Sequence, residues 1–338
     1  MTAQGLRNWL PDEAKKQEFV TNKLLELYGK WSYEPIEIPT LIDAYSLSQS
    51  NKKFIGKTFP VVDKDGQLLA LRPELTTPIA KAVSSRLEKL ELPLRLYYSS
   101  TIFRHSGKPT DDSREIKQVG IELIGTKEFH SFSNAEIINL FIESAKQFGL
   151  KDFKVALTHS SIWKKIFELY EEGELAYDLL QRGDFLAFKT VIAKDHPMRI
   201  LIETDDISKI EKTLGIELPF TKEIKETYGD LIVFDPSLCP DVDFYTGVYF
   251  KLLTESEGTV IAAGGRYDNL FKSFGADLPS IGFAYNLQSL INALNSQNLI
   301  PEFKDKAEEI KPEKTWEKTL KAANDKIAKG KTIKVKLN

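Results

Sequence analysis

Cysteine is almost absent: Cys239 is the only one in 338 residues. That excludes a disulfide framework and a thiolate metal site, and a reducing compartment such as the cytoplasm fits. Histidine is scarce as well. His105, His130, His159 and His196 are scattered, with no HxxxH or HxH pair, so no metal site is expected. No apolar run approaches the ~18 residues of a spanning helix, and the opening MTAQGLRNWLPDEAKKQEF lacks the apolar core of a signal peptide, so no membrane role is expected. Charge of one sign is also missing. With a formal net charge of −3, the whole surface is not built to hold a polyanion, although a local basic patch stays open. What remains is ordinary globular composition, 42% hydrophobic and 28% charged, in a chain long enough for a sizeable core.

The pattern predicts a helix over 11–28, with Pro11 in its first turn, Asp12 and Glu13 at its positive end, and Gly29 to close it. Phe19, Val20, Leu24, Leu27 and Tyr28 supply the apolar stripe. A strand-like EPIEIP ends at Pro39, and a helix capped at Thr76-Thr77-Pro78 runs to about Leu90. LRLYYSSTIF (94–103) and EIKQVGIELIG (115–125) form a long hairpin. Ser133 and Asn134 suit the cap of a helix reaching about Phe148. Residues 151–234 begin with a strand, FKVALTH, and continue as polar helical segments ending in LIVF, an inserted helical subdomain. DFYTGVYFKLL (243–253) reads as a hairpin strand, GTVIAAGGRYDNLF (258–271) as a strand running through glycines into a helix, and SIGFAYNLQSLINAL (280–294) as a strand feeding a helix. From Pro301 the composition turns lysine-rich, and the stretch around Trp316 and Leu320 reads as a solvated helix face. Hairpin-joined strands with grouped helices argue for an α+β fold: an antiparallel sheet flanked by helices, in a core of residues 1–300 followed by a tail of 301–338.

On the strand 115–125, Lys117, Val119, Ile121 and Leu123 share one face, and Gln118, Gly120 and Glu122 the other. Two polar groups around a glycine suit a bound ligand, but this strand alone reads first as a sheet face in water. Other segments shift that balance. LRPELTTP sets Arg72, Glu74 and Thr76 at a strand–helix junction, where helix capping accounts for Thr76 and Thr77 but not for Glu74. DFYTGVYF puts Tyr245, Gly247 and Tyr249 on one strand face, which ordinary aromatic core would also explain. AAGGRYD brings glycines, Arg266, Tyr267 and Asp268 to a turn, but neither GxGxxG nor GxxxxGK[ST] is present.

LRPELTT, FR at 103–104, QVGIE at 118–122, DFYTG at 243–247, GGRYD at 264–268 and SIGFA at 280–284 occur in this order over about residues 5–295. Together they resemble the catalytic core of class II aminoacyl-tRNA synthetases, and among these the histidyl-tRNA synthetase family. The resemblance implies a usually dimeric protein with a pocket for L-histidine. Glu74, Thr76 and Gln118 would hold the amino group, and Glu122 and Tyr245 would meet the imidazole; Arg104, Gly264 and Tyr267 would complete the pocket. Carboxylate, hydroxyl and amide acceptors suit an ammonium, and a carboxylate with a phenol can satisfy both imidazole nitrogens.

The ATP half departs from the pattern. Arg104 is kept, but a glutamate expected two positions later is Ser106, and arginines expected further on fall on Asp112, Pro240 and Ser289. Losing one such electrostatic donor commonly costs ~10²–10³ in rate, so adenylation should be all but abolished. No anticodon-binding domain, ordinarily of roughly a hundred residues, is expected in the lysine-rich tail, and tRNA is not an expected partner. These features are similar to the regulatory-subunit family of ATP phosphoribosyltransferase. That family implies a non-catalytic chain without a cofactor, which activates a short-form catalytic subunit in a hetero-octamer and mediates feedback inhibition by L-histidine. A functional or truncated histidyl-tRNA synthetase, or another synthetase-like amino-acid-binding protein, are the alternatives.

Overall fold

A computed structural model describes residues 4–45, 56–105, 113–125, 130–240, 242–254, 260–303, 307–313 and 315–336. By its internal contacts the chain divides into two compact units, Met1–Ile300 and Pro301–Asn338. Among the described residues no helix is long and apolar enough to cross a membrane.

The first unit opens with α1 (Pro11–Lys30). Its buried residues Val20, Thr21, Leu24 and Tyr28 fall on one stripe, and the Glu13 carboxylate accepts the Leu10 N–H at 3.3 Å. Gly29 lies inside the helix rather than closing it. The turn is made beyond it, where Ser32 takes a left-handed φ of 61° and the Tyr33 N–H reaches back to the Tyr28 carbonyl at 3.1 Å. Only Glu34–Pro35 (β1) of EPIEIP is a strand. A small antiparallel sheet follows, built from β2 (Leu41–Asp43), β3 (Phe59–Val62) and β4 (Leu68–Leu71) in the order β2-β4-β3. Helix α2 (Thr76–Ser84) stops short of Leu90, which a single 3-10 turn precedes.

The main sheet has eight strands. It adds β5 (Leu94–Phe103), β6 (Glu115–Ile124), β7 (Phe153–His159), β8 (Ile232–Phe234), β9 (Val248–Thr254), β10 (Val260–Arg266) and β11 (Ser280–Asn286) to β1, in the order β1-β5-β6-β11-β10-β9-β7-β8. Every pair is antiparallel except the two at the edges, β1–β5 and β7–β8. Parallel neighbours need a long crossover. Between β7 and β8 that crossover is the helical insertion: α4 (Ser161–Leu169), α5 (Gly173–Gln181), α6 (Phe185–Val191), α7 (Ile200–Glu203), α8 (Ile207–Leu214) and α9 (Thr221–Tyr228). The insertion packs around its own core, which includes Ile166, Leu180, Phe188, Met198 and Ile210.

Helix α3 (His130–Lys146) begins earlier than a cap at Ser133–Asn134 would allow. Both side chains lie buried in the helix because they hold a buried arginine instead: the Arg266 Nε donates to Asn134 Oδ1 at 2.9 Å and an Nη donates to Ser133 Oγ at 2.5 Å. With α1 and α10 (Leu287–Ser296), α3 covers one sheet face. Val119, Ile121 and Leu123 of β6 pair with Tyr285, Phe283 and Ile281 of β11 in that core, and Phe141 of α3 sits against the rings of Phe250, Phe283 and Tyr285. The other face is covered by α2 and the segment after β10, with Ile79, Val83, Leu270 and Phe271 over Tyr98, Ile102, Ile116 and Ile124. The β6 face bearing Glu122 is therefore enclosed, not a sheet face in water. The helix expected after GGRYD is only a 3-10 turn, Phe271–Phe274, and the glycines belong to the strand itself.

In the second unit, β12 (Glu308–Ile310) and β13 (Ile333–Val335) pair in parallel, linked by α11 (Trp316–Ile327). This is a βαβ crossover rather than a lone solvated helix. Thr315 caps α11, and Thr319 and Ala323, one turn apart, form its buried face.

Phe141 has no exposed surface and touches three rings. Phe141→Ala should cost ~3–5 kcal/mol in a denaturant titration of the whole chain. A loss below ~1 kcal/mol would show that the helix–sheet core is not the main support of the fold.

Candidate functional site

One cavity, of about 170 Å³, lies on the α2 side of the main sheet. Its floor follows from strand register. Across β6, β11 and β10, Glu122 pairs with Gly282 and Gly282 with Gly265; one step along, Gly120 pairs with Ala284 and Ala284 with Ala263. Small residues at these places leave the space that larger ones would fill. A Cβ on Gly282 would collide with the Glu122 carboxylate, one on Gly265 would stand 2.8 Å from the Tyr245 ring, and one on Gly120 would stand 2.6 Å from the Tyr98 hydroxyl.

Glu122 is the more deeply buried of the site's two carboxyl groups, at 2% exposure. Its Oε1 accepts the Thr76 hydroxyl at 2.9 Å, and its Oε2 accepts the Tyr267 hydroxyl in a short hydrogen bond. Burial pushes its pKa up to about 8; the two hydroxyl donors pull the other way, and nearby Glu74 adds to the rise. The Tyr267 and Tyr98 phenols are pushed well above their ordinary value, by burial first and then by the Glu122 charge. Glu74 is also buried and raised by burial, while Arg104 and the hydrogen bonds at the start of α2 lower it. Its carboxylate accepts the Thr77 N–H, at 3.0 and 3.2 Å from its two oxygens. The capping assignment is thus reversed: Glu74 closes the helix end, and the Thr76 hydroxyl turns to Glu122 instead. The N-terminal end of α2 is favourable ground for that carboxylate.

Tyr245 reaches the cavity by a route that strand alternation does not give. Residues 243–247 lie before β9, in a turn, and not on its face. The turn is tied down where the Thr246 N–H donates to the Arg266 carbonyl at 2.8 Å and the Asp268 N–H donates to the Thr246 hydroxyl at 2.8 Å. The Tyr245 ring packs 4.8 Å from that of Tyr249, and Phe244 lies 5.8 Å from Tyr267, making an aromatic wall. Gln118 lines the cavity opposite Asn286, whose side chain accepts the Gln288 and Ser289 N–H groups and caps α10.

Glu74, Thr76, Arg104, Gln118, Glu122, Tyr245 and Tyr267 all line this cavity, and Gly264 does not. Gly264 belongs to the opposite face of β10, where a Cβ would meet Phe283 and Phe250 of the helix-covered core. Gly265 is the glycine of the other face, packed beneath the Tyr245 ring that lines the cavity. Arg72 is also outside, because its Nε donates to the Thr101 carbonyl at 2.7 Å and an Nη donates to the Ile38 carbonyl, tying three segments together. Tyr98, Phe244, Gly282 and Asn286 join the site without having been singled out. Register would have found Tyr98, which faces Gly120 across the hairpin, and a glycine amid the bulky residues of SIGFA marks Gly282. Of the positions that depart from the synthetase pattern, Ser106 and Asp112 lie outside the described residues. Pro240 is buried, its carbonyl accepting the Tyr177 hydroxyl, and Ser289 is buried in the first turn of α10. Among the described residues no group of three His, Cys, Asp or Glu side chains is placed to hold a metal ion.

The histidyl-tRNA synthetase family profile matches residues 5–290. The ATP phosphoribosyltransferase regulatory subunit of Halothermothrix orenii is 31% identical over 328 residues, an alignment spanning 87% of this chain and 76% of that protein. The histidine–tRNA ligase of Methanocaldococcus jannaschii is 30% identical over 333 residues, spanning 90% and 79%. In fold, the chain is similar to a Bacillus halodurans protein described as an ATP phosphoribosyltransferase regulatory subunit/histidyl-tRNA synthetase, with TM-score 0.82 at 24% identity over 99% of this chain and 92% of that one. It is similar too to apo histidyl-tRNA synthetase of S. aureus, with TM-score 0.72 at 19% identity over 100% and 85%.

Two outcomes follow from the buried carboxylate. Because the folded protein holds the Glu122 proton up to about pH 8 while the unfolded chain releases it near pH 4.5, this group's stabilisation is full below pH 4.5 and is lost as pH rises through 8. Thermal or urea unfolding of Glu122→Gln should therefore lack a pH-dependent loss of about 5 kcal/mol that the wild type shows across that window. Parallel curves for the two proteins would contradict the assignment. Gly282→Ala should cost ~1–3 kcal/mol by overfilling the floor, and an unchanged midpoint would show that Glu122 can move aside at no cost.

Proposed function

This chain belongs to the histidyl-tRNA synthetase family, alongside its ATP phosphoribosyltransferase regulatory subunits, and we propose that it is itself a regulatory subunit: a non-catalytic chain that activates a short-form ATP phosphoribosyltransferase and carries feedback inhibition by L-histidine. The observation that carries this reading is the enclosed cavity with its two buried carboxylates, Glu74 and Glu122. Such a site suits a ligand that brings positive charge or hydrogen-bond donors to the two carboxyl groups. In the proposed complex Glu74, Thr76 and Gln118 receive the ammonium group, and Glu122 and Tyr245 the imidazole. Tyr267 and Thr76 hold the Glu122 carboxylate in place, and Arg104 lines the cavity for the ligand's carboxylate.

The positions at which the family pattern expects nucleotide-holding arginines support a site without adenylation chemistry. Pro240 and Ser289 offer no charge to an α-phosphate. The amino acid would then be bound and not activated, and its occupancy is information rather than turnover. Regulation is linkage: histidine must favour the inhibited arrangement of the assembly over the active one, and the assembly must alter histidine affinity by the same factor. We assign the partner as the catalytic subunit in a hetero-octamer, with this chain also pairing with itself. The second reading, a working histidyl-tRNA synthetase, is favoured by the intact amino-acid half of the cavity and by the 30% identity to the archaeal ligase.

Co-purification with a short-form catalytic subunit separates the two. The subunit's activity should rise when this chain is added and fall again with L-histidine, and histidine-dependent ATP–pyrophosphate exchange should be absent. Exchange at a synthetase-like rate, or catalytic activity indifferent to this chain, overturns the proposal. Glu122→Ala should weaken histidine binding by ~1–3 kcal/mol in calorimetry, because an imidazole nitrogen is left unpaired. Unchanged affinity would put histidine elsewhere.

A further inference from the structure

The deep end of the cavity brings two buried carboxyl groups together, Glu122 and Glu74, and among the described residues no cation acts on Glu122. From the start of α2, Thr76 and Glu74 face Glu122; β5 contributes Tyr98, and the turn after β10 contributes Tyr267. Tyr245 and Tyr249 stand on the aromatic wall, and the neighbouring strand β11 offers Gly282, Ala284 and Asn286, none of them charged. Tyr33, beyond the cavity, also senses the Glu122 charge. Arg104 lines the cavity, and its charge acts on Glu74. Among the described residues, the one charged side chain that bears on Glu122 is Glu74, a like charge. Two hydroxyl donors occupy one direction on each Glu122 oxygen, so an acceptor direction stays open to a ligand N–H.

Resting on the reading of this cavity as a histidine site, we propose that the Glu122 carboxyl and the ligand imidazole hold one proton between them in the complex, so that occupancy depends on pH as well as on histidine concentration. With two protons, an imidazolium would face a carboxylic acid and gain no ion pair. With none, a carboxylate would stay buried without a counter-charge. One proton gives either a carboxylate–imidazolium pair or a carboxylic acid donating to imidazole, and each is neutral overall.

The proton balance follows from the two free partners. Burial pushes free Glu122 up to about 8, and free imidazole titrates near ~6.5. Below ~6.5 both partners arrive protonated, and binding releases one proton to the buffer. Above 8 both arrive without a proton, and binding takes one up. Between those values one proton is already present, none is exchanged, and affinity is greatest. Outside the window affinity falls ~10-fold for each pH unit.

Titration calorimetry on the full chain with L-histidine tests this, at pH near ~5.5, ~7.2 and ~9, each in two buffers of different ionisation enthalpy. The expected result is about one proton released at the acid pH, none near neutrality, and uptake at the alkaline pH. In Glu122→Gln the alkaline uptake should shrink to what the ligand's own amino group contributes. The acid measurement needs no variant and stands even if that variant does not fold. Binding of similar affinity at all three pH values, with heats independent of buffer at the acid one, overturns proton sharing and leaves the histidine site standing. Absence of binding at every pH overturns the histidine reading itself, and this inference with it.

Discussion

A carboxylate taken out of water sets the terms for everything around it. Glu122 is enclosed on the middle of an eight-stranded sheet, and free energy of that kind is tolerable only if the surroundings are shaped for it. Gly282 must lack a side chain because the carboxylate occupies its space. Thr76 must present its hydroxyl at the first turn of α2, which obliges another group, Glu74, to satisfy the helix end. Tyr267 must leave β10 at an angle that brings its hydroxyl to Oε2, and the Arg266–Asp268–Thr246 network fixes that departure.

The two sheet faces divide the labour. One is an aliphatic and aromatic core under α1, α3 and α10, and it supplies the burial that keeps the sheet rigid. The other carries the polar groups. Because successive side chains alternate, a single strand such as β6 serves both, with Ile121 in the core and Glu122 in the site one position apart. A shift of register by one residue would exchange them, so the pairing of β5, β6 and β11 is held from both sides at once.

What could be read from the amino acids was what depends on local period. The α1 stripe, the β5–β6 hairpin and the alternation that puts Gln118 and Glu122 on one face all follow from spacings of 3.6 and 2. Seven residues grouped in advance by family pattern do line one cavity. The exceptions depend on third parties that no local pattern reports. Tyr245 sits on a turn held by the backbone of Arg266, not on a strand face. Ser133 and Asn134 look like caps but are bound to an arginine 132 residues from Asn134. Gly264 and Gly265 cannot be told apart by composition; only the registration of β10 against β9 and β11 decides which faces the ligand side. The βαβ unit of residues 308–335 was hidden by its charge, because its strands are three residues each and its helix buries only small side chains.

The insertion between β7 and β8 leaves the sheet and re-enters it on neighbouring strands, but it does not hang there as a passive loop. Its Trp163 Nε1–H donates to the Leu238 carbonyl at 3.0 Å, and its Tyr177 hydroxyl donates to the Pro240 carbonyl. Those two grips fall on the stretch of chain that runs directly into the aromatic wall at Phe244 and Tyr245. The helical insertion therefore helps to position the segment 235–240 that precedes the wall in sequence, and a change in its Trp163 or Tyr177 bears on backbone outside the cavity's own lining.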